Sequence, residues 1–160
     1  MDAGPSGMIV WKMGGAAYSK DGAALVALVG DALGGFHRQH DARWQSAETL
    51  SLFDDQTGES AFARALVLAY NVEARMATIA WQYGGAESCA DMGSFRVLDG
   101  GGGIVGWGVT ASILVFSEVT ARGDDLVDFA FLDGSQSYRA LKVPLGALDL
   151  GLMRATAGKT

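Results

Sequence analysis

The alternation of apolar and polar positions is clearest from Ile104 to Thr120, IVGWGVTASILVFSEVT. Its odd-numbered positions carry Val105, Trp107, Val109, Ala111, Ile113, Val115, Ser117 and Val119. Its even-numbered positions carry Gly106, Gly108, Thr110, Ser112, Leu114, Phe116, Glu118 and Thr120. In an extended chain side chains alternate between two faces, so the odd set makes one almost wholly apolar face. The β-branched and aromatic residues also suit a pleated surface. At ~3.3 Å per residue a single strand here would run about 55 Å, far beyond the usual length. It is expected to bend, with Gly106 or Gly108 as the bulge or corner.

The same period of two recurs along the chain. Met8 to Met13 reads as a first strand. Thr49 to Phe53 alternates into a turn at 54–58. Ala61 to Tyr70 places Phe62, Arg64, Leu66, Leu68 and Tyr70 on one face and Ala61, Ala63, Ala65, Val67 and Ala69 on the other. A turn at 71–74 leads into Arg75 to Tyr83. Beyond a loop that carries Cys89, the segments Ser94–Leu98, Ile104–Thr120, Leu126–Leu132 and Ser137–Val143 form an antiparallel meander of four strands. Asp133-Gly134 is its hairpin signal, and Pro144 ends it. Residues 31–45 are polar, lack a period and read as a loop with one helical turn.

Two segments admit rival readings. In one, Ser19-Lys20-Asp21-Gly22 turns a hairpin between Ala16–Tyr18 and Ala23–Val29. In the other, a helix over 21–34 starts at Asp21 and stops at Gly34-Gly35, with Gly30 costing ~1 kcal/mol in its interior. Residues 60–83 are likewise two strands or one Ala-rich helix. The strand readings are preferred, because the same turn chemistry recurs downstream. The expectation is a single all-β domain over 1–160: eight or nine antiparallel strands in a meander that closes into a barrel, with one short helix. Its alternative is an α+β fold with helices at 21–34 and 60–83.

Composition narrows the classes. The 160 residues are 49% apolar, enough for a substantial core. Glycine numbers 23 and proline 2, which favours tight turns and bent strands over linkers. No apolar run reaches the ~18 residues of a membrane helix. The first residues, MDAGPSG, lack the basic region of a secretory signal. Cys89 is the one cysteine, so no internal disulfide is expected, and a reducing, cytoplasmic setting fits best. The formal net charge is −6 and no basic patch stands out, which argues against a nucleic-acid partner.

Candidate chemistry is sparse. His37 and His40 lie three apart beside Asp41, a spacing that shares a metal on a helical turn. No third ligand is evident, so a solvated loop is the favoured reading and no metal or cofactor is expected. Gly100 to Gly103 lacks the Lys and the following helix of a phosphate loop. Trp11, Trp44, Tyr70, Trp81 and Trp107 are candidates to line a ligand pocket; otherwise they are core. Met8, Met13, Met76 and Met92 would give it an adaptable lining. Arg64 and Arg75 share apolar faces in the strand reading. A buried Arg needs a partner, which Glu48 or Asp54 would supply, and the pair would orient a polar ligand group.

One stretch resembles a known family. Trp44-Gln45-Ser46-Ala47-Glu48-Thr49-Leu50-Ser51-Leu52-Phe53-Asp54, then Gly58 and Arg64, is similar to a strand pair in lipocalin-like barrels of the carotenoid hydratase and AttH group. The shared pattern is a Trp, an acidic residue, an aromatic strand ending in Asp, a Gly turn and an Arg on the next strand. The family's Pro after the second strand is missing here, with Asn71 remaining, and this chain has room for one barrel rather than two. The resemblance implies a calycin-type barrel around a hydrophobic small molecule. It does not imply hydratase activity.

Three functions follow as expectations. The first is binding of a small apolar molecule in a barrel pocket, extended to isomerase, cyclase or lyase chemistry with Glu48, Arg64, Arg75, His37 and His40 as candidate catalytic groups. The second is a structural or interaction module with a filled core that self-assembles, for instance as a homodimer, through sheet edges or an apolar patch. The third is a metal-dependent enzyme using His37 and His40.

Overall fold

The computed structural model describes every residue except 1, 4–6, 16–17, 60, 86 and 159–160. In chain order the described strands are β1 (Asp2–Ala3), β2 (Ile9–Met13), β3 (Ala24–Leu28), β4 (Gln39–Trp44), β5 (Thr49–Asp54), β6 (Arg64–Asn71) and β7 (Met76–Gly84). They continue with β8 (Cys89–Asp91), β9 (Ser94–Val97), β10 (Gly103–Gly106), β11 (Val109–Thr110), β12 (Leu114–Val119) and β13 (Asp125–Ala130). One short helix among the described residues, α1 (Leu150–Ala157), follows. The chain is therefore mostly β, as its period of two implies, and neither 21–34 nor 60–83 forms a helix.

Seven strands make one sheet in the order β1-β2-β3-β7-β6-β5-β4. It curls into a half-barrel: four strands lie between Trp11 on β2 and Trp44 on β4 in that order, yet their ring centroids lie 5.7 Å apart. Four strands make a second sheet, β13-β12-β10-β9, and β8 pairs with β11 alone.

The two sides of β5 and β6 feed different cores, because alternate residues face opposite ways. Leu50, Leu52, Leu66 and Leu68 pack inside the curl with Trp11, Val26 and Ala77. Phe53, Ala63 and Ala65 pack against the smaller sheet, with Phe95, Val105, Trp107, Val119 and Cys89. A sheet covered on both faces reads as a near-continuous apolar run, which is what RALVLAY is.

Several expectations need correction. The meander is not purely antiparallel: β2 runs parallel to β3, and β3 parallel to β7. The segment 23–29 does form a strand, but it pairs with β2 rather than in a hairpin with Ala16–Tyr18. Ala16 and Ala17 lie outside the described residues, and Tyr18 lies in no strand. Gln39–Trp44, expected as a loop, is an edge strand. Its solvent-facing side chains and a bulge between His40 and Arg43 hide the alternation.

The stretch from Ile104 to Thr120 is not one strand but a hairpin. Gly103 pairs with Val119, Val105 with Ser117 and Gly106 with Phe116. Gly108, at φ +69, begins the departure. A Cβ there would lie 2.6 Å from the Asp91 carbonyl oxygen, so only glycine fits. Trp107 is buried, whereas Ile113 is half exposed between the two arms. The four-stranded meander exists, but its last strand is β13, and Ser137–Val143 contributes one isolated bridge, Ser137 to Gly108.

Candidate functional site

The most ordered polar cluster lies where β5 ends and β6 begins. Arg64 stands opposite Asp54 in the ladder. Its Nε donates to Asp54 Oδ2 at 2.8 Å. Its Nη1 and Nη2 donate to the two oxygens of Asp31 at 2.8 and 2.7 Å, and Nη2 also donates to the Gly35 carbonyl at 3.0 Å. All three side chains are buried. Asp54 further accepts from the His37 amide and from Gln56 Nε2. The Arg64 hydrogen bonds hold the Asp31 carboxyl below its usual range, against the opposing effect of burial. Burial works against the Arg64 charge, but the bonds from Asp31 and Asp54 together outweigh it and raise its pKa.

The expected partnership of Arg64 with Asp54 is thus present, and Glu48 is not its partner. Glu48 lies at the other end of β5, beside an open groove of about 650 Å³ that Tyr70 and Met76 also line. Asp31 was missed because it comes from a loop 33 residues away that has no period. The signal that marks it is its turn-forming position before Gly34-Gly35, whose amides it helps to fix. Its four hydrogen bonds tie the buried guanidinium to β5 and to the loop that carries Asp31 and Gly35.

Arg75 is exposed in the turn after β6, at φ +55, and shares no strand face with Ile79 and Trp81. A bulge between Val67 and Leu68 also puts those two on opposite sides, so Ile79 meets the inner core and Trp81 the outer one.

His37 and His40 each face a carboxylate. His37 Nδ1 is 3.4 Å from Glu59 at the surface. His40 Nε2 is 3.3 Å from Asp55 Oδ2, without the alignment of a hydrogen bond, and that buried oxygen has no hydrogen-bond partner among the described residues. Asp55 Oδ1 accepts from the Thr57 amide. No group of three or more His, Cys, Asp or Glu among the described residues is placed to hold a metal ion. Cys89 is buried and donates to the Trp107 carbonyl at 2.9 Å. Burial, with the nearby Asp55 and Asp91 charges, pushes its thiol up to about 11, which makes it a poor nucleophile.

The aromatic candidates divide into two groups. Trp11, Trp44 and Tyr70 meet at the open side of the half-barrel, with centroids 5.3 to 5.7 Å apart. Tyr70 donates its hydroxyl to the Ala47 carbonyl. Trp81 and Trp107 belong to the other core: Trp81 stacks on Phe95, and Trp107 meets Phe53 and Tyr83 while its indole donates to Ser117. These five residues therefore do not line one pocket. Val26, Leu52, Leu66 and Leu68, all essentially inaccessible, fill the inside of the curl.

Nothing in the hydrophobic pattern marks the C-terminal arm. From residue 121 to 158 no residue is buried. Leu126, Val127, Phe129, Phe131, Leu132 and Leu145 are all exposed, Leu132 and Leu145 almost fully. The helix α1 is capped by Asp149, whose side chain accepts from the Leu152 amide, and it buries none of its residues. The arm meets the small sheet where the Ala140 amide donates to Ser94 and where Lys142 pairs with Glu118.

Comparison with models of known families, with curated proteins and with solved structures finds no match. No helix among the described residues is long and apolar enough to cross a membrane.

Proposed function

We propose that this protein is a non-catalytic interaction module that assembles with further copies of itself through β13 and the C-terminal arm. The observation that carries this reading is the stretch of 38 residues, 121 to 158, with no buried member. Between Leu126 and Met153 it exposes 13 large apolar side chains. At roughly half exposure each would offer on the order of 100 Å², given the 150–250 Å² that a large ring can bury. The sum, about 1,300 Å², exceeds the ~800 Å² per partner of an ordinary stable interface. Single-chain proteins seldom leave so much apolar surface open.

A second copy is the occupant that fits. The same segment carries five acidic and four basic residues, so two identical surfaces meet with little repulsion despite the acidity of the whole chain. β13 is an edge strand, and its outward backbone groups are free to pair with another strand. A twofold axis at Phe129 would set that ring against its copy and Asp128 against Ala130, so no carboxylates oppose each other. The filling of the curl by Val26, Leu52, Leu66 and Leu68 supports this reading over a pocket inside the half-barrel. The resemblance to lipocalin-like barrels enters it through the curl alone.

Leu145 and Leu152 are exposed in the single chain, so Leu145→Asp with Leu152→Asp leaves the fold intact. Sedimentation equilibrium tests the reading. The wild type is expected at two or more times 16.7 kDa, and the double variant at 16.7 kDa. A wild type that sediments as a single chain at every concentration overturns it.

A further inference from the structure

We infer that the end of β7 binds a peptide segment of a partner protein, added to the sheet as an extended strand that is partly apolar and basic. β3 runs parallel to β7 but pairs with it only where Ala27 meets Met76 and Leu28 meets Ala77. The Val29 amide adds a bond to the Ala77 carbonyl at 2.9 Å, and then Gly30, at φ +74, turns the chain away. That turn carries Asp31 across to Arg64. Residues 79–84 of β7 therefore run on with β6 on one side and, among the described residues, no strand on the other. At ~3.3 Å per residue this is about 20 Å of open edge.

Alternate backbone N–H and C=O groups of such an edge point outward, where a further strand can pair with them. Edges left in water usually carry charges, a proline or a bulge that discourage pairing. β4, at the rim of the same sheet, has Asp41, Arg43 and a bulge. Residues 79–84 read IAWQYG, with neither a charge nor a proline. The one irregularity of β7, opposite Val67 and Leu68, lies in its pairing with β6.

A cleft of about 590 Å³ opens beside this edge on the inner face of the curl. Gln82 stands opposite Leu66 and Gly84 opposite Arg64, and Ile79 packs on the same side. Leu33 and Phe62, both exposed, complete an apolar wall, and Gly84 and Gly85 leave room for a side chain to enter. Among the described residues the Gln82 side chain makes no hydrogen bond, so its amide is free to meet a peptide group. Charge decides the character of the peptide. Asp31 and Arg64 line the cleft and Asp54 lies behind Arg64; these three buried side chains sum to −1. Salt screens buried charge little, and the whole chain is −6, so a basic side chain is drawn in and an acidic one repelled. The edge of β13 belongs to the other sheet, so this site is separate from the self-assembly surface.

The probe is a capped heptapeptide, Thr-Val-Lys-Leu-Lys-Val-Thr, titrated into the full chain by calorimetry. Its comparison forms carry Glu for Lys, or N-methyl groups on the amides of one strand edge or of the other. The proposal expects saturable binding that slows hydrogen exchange in residues 79–84. The Glu form binds more weakly by about tenfold or more, and one N-methylated form loses binding while the other keeps it. Leu33→Lys replaces an exposed side chain, so the fold survives, and it lowers the affinity by a similar factor. Absence of saturation, equal affinity of the Glu form, equal affinity of the two N-methylated forms, unchanged affinity in Leu33→Lys, or protection at β13 in place of residues 79–84 overturns it. So does protection of residues 79–84 that rises with protein concentration when no peptide is added, which makes a second copy the occupant.

Discussion

Replacing Arg64 with Met removes the only cation from a buried set of two carboxylates. The Arg64 side chain is 6% exposed, and those of Asp31 and Asp54 are 2% and 0% exposed. Met fills much of the same volume, so the loss is chiefly electrostatic. Four hydrogen bonds on charged groups disappear, and two carboxylates remain out of water. Breaking one buried ion pair typically costs about 3–5 kcal/mol, and this change breaks two that share a partner. A loss of at least that size, in a chain of this length, lowers Tm by about 10 °C or more. Urea unfolding followed by tryptophan emission reads it directly. The pH dependence adds a sign. In the wild type the folded Asp31 pKa lies below its unfolded value. Its contribution is therefore complete above the ordinary carboxylate range and is lost as pH falls through the lowered folded value. In Arg64→Met, burial without a cation favours the protonated acids, so stability rises as the pH falls. Adding Asp31→Asn and Asp54→Asn to the variant recovers most of the loss. A variant that loses under about 1 kcal/mol, or that keeps the wild-type acid slope, refutes the reasoning.

Three further outcomes follow from the packing. Gly93→Ala places a Cβ 2.2 Å from the Phe53 ring at a φ of +116, so urea unfolding shows a loss of about 2–4 kcal/mol; a change near zero contradicts the close packing there. In the native protein Cys89 reacts with iodoacetamide more than a hundredfold slower than an open thiol at neutral pH, and its rate keeps rising with pH toward about 11; rapid labelling of the folded chain contradicts its burial. Trp107→Phe loses the indole bond to Ser117 and part of the ring contact with Phe53 and Tyr83, a cost of about 2–3 kcal/mol by denaturant titration; a neutral result places that ring outside the core.

What the sequence made legible was parity. In the hairpin of β10 and β12, partners such as Val105 and Ser117 have numbers of equal parity, and directly opposed residues share a face. Odd residues therefore face one core whether the stretch runs straight or folds back, and a single strand and a hairpin leave the same pattern. Burial of Val105, Trp107, Val115, Ser117 and Val119 follows from either arrangement; the exposure of Ile113 follows only from the turn. Along β6 the alternation of Arg64, Leu66 and Leu68 with Ala65 and Val67 correctly separates two faces, but it does not say that each has its own core. The parallel pairing of β2 with β3 was beyond reach, because direction leaves no trace in a period of two. The inward turn of Asp41 was hidden for a related reason: a bulge breaks the period at that place. The openness of the arm was illegible because alternating Val127, Phe129 and Phe131 look the same whether they face a core, a partner or water.

Hydrogen exchange at the amides of β13 and α1, measured as a function of protein concentration, bears most directly on self-assembly. In an isolated chain the outward amides of an edge strand and of an unpacked eight-residue helix are free to exchange. The account predicts that both segments slow together as the concentration rises, while the amides of β5 and β6 stay equally protected throughout. Fast exchange in β13 and α1 that does not change with concentration would contradict it.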